Sequence, residues 1–219
     1  MRIKINYLMF VLFLFPAFLF AQEDQGTYLL DNFEAGFAMY KNGSKSNSVF
    51  NYDIVTGKIV FKNGNEVMEL ADVDDIAYIK IKDRTFAHVK GSDYYEKITA
   101  GDGDFYVYWK YKVISRGKNA GYGTTSQTSS VTEYSTLTPS SGGLSHLKSS
   151  EQFEVKNEST YYLYLDGKYK SFSSAKAFAK LFNKDAEKEI LAYTDKEKID
   201  FKEVESLQKL VSFASQFMK

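Results

Sequence analysis

The chain has 219 residues, 44% of them hydrophobic and 26% charged, the balance of a folded soluble protein. Its 28 basic and 28 acidic side chains cancel, a balance that lends no support to an electrostatic affinity for nucleic acid, which needs clustered Lys and Arg, so no nucleic-acid partner is expected. The absence of cysteine excludes disulfides, thiolate metal sites and the lipid-bearing cysteine of a bacterial lipoprotein.

The first segment, MRIKIN, carries Arg2 and Lys4, and an apolar run follows without a charge up to Ala21. A short positive stretch, about 14 apolar residues and a small residue before the polar QEDQG have the form of a secretory signal over residues 1–21. The run is shorter than the roughly 20 residues of a spanning helix, so no transmembrane segment is expected after cleavage. Leu19, third before the cut, is bulkier than the alanine preferred there. A secreted chain of this size without disulfides suits a bacterial envelope, which places the protein in the periplasm, or secreted and cell-envelope associated. Without Arg2 and Lys4 the formal charge falls to −2.

Short strands dominate from Gly36 to Ser115. GFAMY ends at Asn42-Gly43, SVFNYDI at Thr56-Gly57 and KIVF at Asn63-Gly64, before EVMEL. Asn-Gly pairs suit type I′ hairpin turns, whose two central residues both need positive φ. IAYIKI, TFAHV and DYYEKI follow, and after GDGD comes FYVYWKYKVIS, read as the longest strand. Short connections make these neighbours antiparallel, giving a β-meander of about seven or eight strands over residues 28–115. A sheet that wide curls, so a strongly bent sheet or partly closed barrel is expected.

Residues 119–150 are rich in Ser, Thr and Gly and read as a flexible loop with too little apolar side chain to offset the entropy of ordering it. The same stretch also reads as a segment that orders on a partner, with Tyr122, Tyr134, Leu137 and Leu144 as anchors. Strands return over residues 151–172, where TYYLYL runs through Asp166-Gly167 into KYKSF as a hairpin. Ser173 is placed to cap a first helix in which Ala175, Phe178, Ala179 and Phe182 share one face. A second helix fits DAEKEILAYTDKEK with Ala186, Ile190 and Tyr193 inward. A third fits EVESLQKLVSFASQF with Val204, Leu207, Leu210, Val211, Ala214 and Phe217 on one face. Strands followed by helices make a single α+β domain over residues 22–219, its helical segment at 173–219. The helices are too short to form a core among themselves and need the sheet to cover.

No catalytic constellation stands out. His88 and His146 share no metal-binding spacing, and His88 beside Phe86 suits a structural strand histidine. Asp72, Asp74, Asp75, Asp102 and Asp104 fit turns and lack the remaining ligands of a calcium loop. There is no GxSxG elbow, no SxxK paired with a later KTG and no phosphate-binding glycine motif. No catalytic residue, metal ligand or cofactor is therefore assigned.

The aromatic strand is more informative. Alternation puts Phe105, Val107, Trp109, Tyr111 and Val113 on one face of FYVYWKYKV, and Tyr106, Tyr108, Lys110 and Lys112 on the other. Exposed Tyr and Trp stack on sugars or grip peptides, whereas a central strand packed beneath helices explains the same pattern. Tyr106, Tyr108 and Trp109, with Tyr122 and Tyr134 of the loop, are the candidate partner-binding residues. An outer-membrane barrel is excluded, because most strands have five to seven residues and the chain ends in an amphipathic helix.

YLLDNFEAGFAMYKNG, NYDIVTGKIVF and DDIAYIKIKDRTF, with KSFSSAKAFAKLF and EVESLQKLVSF near the end, resemble a family of exported bacterial proteins without assigned activity. The resemblance rests on turns and core positions, and implies an exported α+β fold but no catalytic residue. The leading expectation is a non-enzymatic envelope module that binds a protein or another envelope component through the loop and the aromatic surface. The alternatives are a secreted hydrolase whose carboxylates meet only on folding, and a small apolar ligand held within the curved sheet. Export is checked by mass: the mature protein should lack Met1 to Ala21, and a mass retaining them would refute cleavage.

Overall fold

Ten segments of alternating apolar and polar side chains pair into one antiparallel sheet in the computed structural model, which describes residues 27–70, 74–91, 93–115, 119–120, 124–125 and 153–218. The first meander comprises β1 (Glu34–Tyr40), β2 (Lys45–Asp53), β3 (Lys58–Asn63) and β4 (Glu66–Glu69). The second comprises β5 (Ile76–Ile81), β6 (Arg84–Lys90), β7 (Asp93–Ala100) and β8 (Gly103–Tyr108). Two small ladders lie outside the main sheet: β9 (Tyr111–Ser115) pairs with β12 (Phe153–Asn157), and β10 (Asn119–Ala120) with β11 (Thr124–Thr125). The β13 (Thr160–Leu165) and β14 (Lys168–Phe172) hairpin then rejoins the sheet beside β8.

The strand order is β14-β13-β8-β7-β6-β5-β1-β2-β3-β4. Neighbours in sequence are neighbours in space except at one step, where the chain leaves β4 and returns to pair β5 with β1. The two four-stranded meanders thus spread outward from an antiparallel β1–β5 pair. That joint is tight: a Cβ on Gly36 would come within 2.2 Å of the Lys80 carbonyl oxygen.

The sheet is open but rolled. Tyr52 of β2 stacks on Phe86 of β6 with centroids 5.4 Å apart, although three strand-to-strand steps separate them. Tyr52 Oη donates to the Trp109 carbonyl at 3.2 Å, and the Tyr111 amide donates to the Ile54 carbonyl at 2.8 Å. These bonds explain one departure from the sequence reading: FYVYWKYKVIS is two strands. At Trp109-Lys110 the backbone groups are taken by Tyr52 and by Ser159, whose hydroxyl accepts from the Lys110 amide at 3.1 Å. Beyond that point β9 pairs with β12 instead of continuing along β13.

The turns differ in detail. At Asn42-Gly43 and Asn63-Gly64 only the glycine takes positive φ, so neither is type I′. Both central residues do so at Asp166-Gly167, with φ of 53° and 74°.

Three helices follow: α1 (Ala175–Ala179), α2 (Lys184–Glu197) and α3 (Val204–Ala214). The cap of α1 is Ser174, not Ser173; its hydroxyl accepts from the Ala177 amide at 3.2 Å. Asn183 caps α2, and Thr194 rather than Tyr193 is buried with Ala186 and Ile190. Tyr193 instead lies parallel to Phe213 of α3 at 4.0 Å. The apolar face of α3 carries Leu207, Leu210, Val211 and Ala214, all fully buried. It sits against the β7–β8 turn, and Val211 Cγ1 would be 3.2 Å from a Cβ on Gly103. At the other end Phe172 of β14 meets Phe178 of α1 edge to face at 4.9 Å. Rolling covers the inner face of the sheet on one side and the helices cover it on the other. Among the described residues, no helix is long and apolar enough to cross a membrane.

The helix–sheet seam is tested at Leu210. Leu210→Ala should lower unfolding free energy by about 2–5 kcal/mol, read from urea denaturation. Leu210→Asp should be worse, because the charge enters a fully buried position of the hydrophobic core; unchanged stability in either variant would refute the seam.

Candidate functional site

Strand β8 points two sets of side chains in opposite directions. Inward go Phe105 and Val107, and Trp109 follows just beyond the strand; all three are buried. Outward go Tyr106 and Tyr108. The neighbouring strands bring tyrosines to the same outer face: Tyr95 from β7, Tyr162 and Tyr164 from β13, and Tyr169 from β14. The six rings form one connected layer. Tyr95 stacks on Tyr162 at 4.6 Å and touches Tyr108 and Tyr169, each at 5.4 Å. Tyr169 meets Tyr106 edge-on at 5.0 Å and Tyr164 at 4.9 Å. Tyr95 is buried beneath its neighbours, four rings are half-buried, and Tyr164 is 51% exposed.

The layer has a polar border. Lys97 and Asp104 pair at 2.7 Å across β7 and β8, and Thr99 Oγ1 donates to Asp104 at 3.0 Å. The β2–β3 turn abuts it at Gly57, where a Cβ would come 2.3 Å from Tyr108 Oη, and φ is +77°. That position excludes a side chain on two grounds.

Burial raises the phenol pKa of Tyr95, Tyr106, Tyr108 and Tyr169, and neighbouring phenols add to it. Tyr169 is pushed up to about 12 by burial and then by Tyr106 and Tyr164. Tyr95, Tyr106 and Tyr108 are raised by burial first, and by neighbouring phenols and the acids Asp93 or Asp104. Every one of these hydroxyls therefore keeps its proton at neutral pH and can donate.

Behind the layer lies a buried ionic network. Glu96 is almost fully buried and accepts from Arg84 Nε at 2.6 Å and Nη2 at 2.5 Å. Trp109 Nε1 donates to the same carboxylate at 2.5 Å. The guanidinium also lies 5.8 Å from the ring centroids of both Phe86 and Trp109. A carboxylate held by a bidentate arginine and an indole is a structural tie across β6, β7 and β8.

Of the sequence-predicted residues, Tyr106 and Tyr108 belong to the outer layer, and Trp109 faces inward onto Glu96. Tyr122 and Tyr134 lie outside the described residues, as do His146, Asp72 and the signal segment. His88 Nε2 lies 2.8 Å from the Gly91 carbonyl, a local turn contact. Among the described residues no group of three or more His, Asp or Glu is placed to hold a metal ion. The sequence reading missed Tyr95, Tyr162, Tyr164 and Tyr169. Their signal is the presence of at least one outward-facing tyrosine in each of DYYEKI, TYYLYL and KYKSF, which acquires meaning only once the strands are ordered side by side. A cavity of about 320 Å³ lies elsewhere, between Leu30–Asn32 and the β5–β6 turn, and none of the six tyrosines lines it.

Alkaline titration reads the layer directly. Below pH 10 the folded and unfolded chains both hold their phenolic protons. Between pH 10 and about 12 the unfolded chain releases protons that Tyr169 and its neighbours retain, so stability should fall through that window. Phenolate absorbance should rise later in the native protein than in urea, and coincident curves would contradict the packing. For the network, Arg84→Met leaves Glu96 buried without its cation. The expected loss is about 3 kcal/mol, the low end of the range because Arg84 is a quarter exposed.

No protein-family model, curated protein or solved structure matches this chain.

Proposed function

We propose that this protein is an exported, non-enzymatic binding module of a bacterial envelope that engages its partner through the tyrosine layer. One observation carries the reading: six tyrosines from four adjacent strands share the face of the sheet opposite the core. A sheet face turned to water ordinarily alternates polar residues. Aromatic residues there supply large, rigid contact area at small cost in side-chain entropy, which is why they dominate interface hot spots.

Two sequence features support the rest of the proposal. The charged, apolar and small-residue order of residues 1–21 suits export. The chain carries no nucleophile, phosphate or metal motif, and the most buried carboxylate among the described residues, Glu96, is engaged by Arg84 and Trp109. The chamber that an internal apolar ligand would need is occupied, where described, by Tyr52, Phe86, Phe105 and other fully buried side chains.

Crosslinking and affinity capture from the native envelope test the proposal. Intact protein should retain a specific partner that a Tyr106→Ala/Tyr164→Ala variant loses, with its circular dichroism unchanged. Equal capture by both forms would move the binding surface elsewhere.

A further inference from the structure

We infer that the tyrosine layer takes a neutral glycan chain laid flat across β7, β8, β13 and β14. This rests on the binding-module reading above and narrows it to one class of ligand. The posture of the rings is the first reason. They lie on one another, with Tyr95 parallel to Tyr162 within 17° and Tyr106 perpendicular to Tyr169, and only Tyr164 is more than half exposed. The surface is therefore a floor, without the projecting anchors or receiving pockets that protein hot spots use.

Chemistry is the second reason. Alternation along the four strands puts tyrosines, small polar residues, the Lys97–Asp104 pair and Asp93 on this face, with no aliphatic side chain among the six rings. Each ring offers an apolar surface and one hydroxyl, and a pyranose offers the complement: a C–H face rimmed by hydroxyl groups. Charge supplies the third reason. Lys97 is matched by Asp104 at 2.7 Å, and Asp93 is the other acid beside the layer. An anionic polymer would need lysine or arginine in forked or clustered array, and the one lysine that alternation puts on this face within the four strands, Lys97, is already matched by Asp104. A neutral, hydroxyl-rich ligand fits. Three inter-strand steps from β7 to β14 span about 14 Å, which suits a chain of several sugars better than a single ring.

The test is native affinity electrophoresis of the mature chain through gels containing amylopectin, hydroxyethyl cellulose or xylan, with alginate as the anionic comparison. Retardation by at least one neutral polysaccharide is expected. Tyr164→Ala and Tyr106→Ala should each weaken retardation by about tenfold, and Tyr164→Phe should weaken it less. Circular dichroism and urea midpoints establish that the variants remain folded. Retardation by alginate alone, by no polysaccharide, or without sensitivity to the tyrosines would overturn the inference. Crosslinked capture separates the two readings: tyrosine-dependent capture of a protein without glycan retardation defeats the glycan and leaves the binding module standing. Tyrosine-independent results in both experiments defeat both.

Discussion

The alternation of side chains along β8 is the constraint on which the rest depends. Phe105, Val107 and then Trp109 are committed to the core, so Tyr106 and Tyr108 have to face the other way. A register slip of one residue would bury the phenols and expose the core rings. Pairing fixes the consequence for the neighbours. Tyr106 lies opposite Lys97 on β7 and Tyr162 on β13, so every outward tyrosine is placed by the same ladders that place the core. The working face proposed here is thus the obverse of the core and cannot be altered independently of it.

The Arg84–Glu96–Trp109 network reinforces that register. An ion pair this deep adds little net stability over an apolar replacement, because desolvation offsets most of the attraction. Its geometric demand is what matters: the carboxylate accepts three hydrogen bonds from groups on β6 and just beyond β8, and none survives a slip of β7. Tyr52 adds a second tie by stacking on Phe86 and bonding the Trp109 carbonyl, which draws the β2–β3 side of the roll over β6 and β8. The same contact ends β8 and turns the chain outward into β9.

Much of the fold was legible because its signals are local. IAYIKI, TYYLYL and KYKSF coincide with β5, β13 and β14, since alternation and turn residues act over a few positions. The helical stripe of Leu207, Leu210, Val211 and Ala214 was legible for the same reason. What was hidden depends on distant partners. The return of β5 to β1 leaves no mark on either strand, and the break at Trp109-Lys110 is imposed by Tyr52, Ile54 and Ser159 from elsewhere in the chain. The candidate site was half visible. Tyr106 and Tyr108 stood out in one strand, but Tyr95 joins them through the β7–β8 ladder, and three of the six tyrosines gain their role only from the insertion of the β13–β14 hairpin beside β8.

The central claim, that the tyrosine layer is the surface occupied in the envelope, is tested most directly by tyrosine-selective chemical labelling with peptide mass spectrometry. Purified protein and protein in intact cells would be labelled under the same conditions. Tyr164, the most exposed ring of the layer, should label readily in the purified protein and be protected in the envelope, with Tyr169 following it. Tyr78, on β5 outside the layer, should label alike in both. Equal labelling of Tyr164 in the two settings would contradict the account.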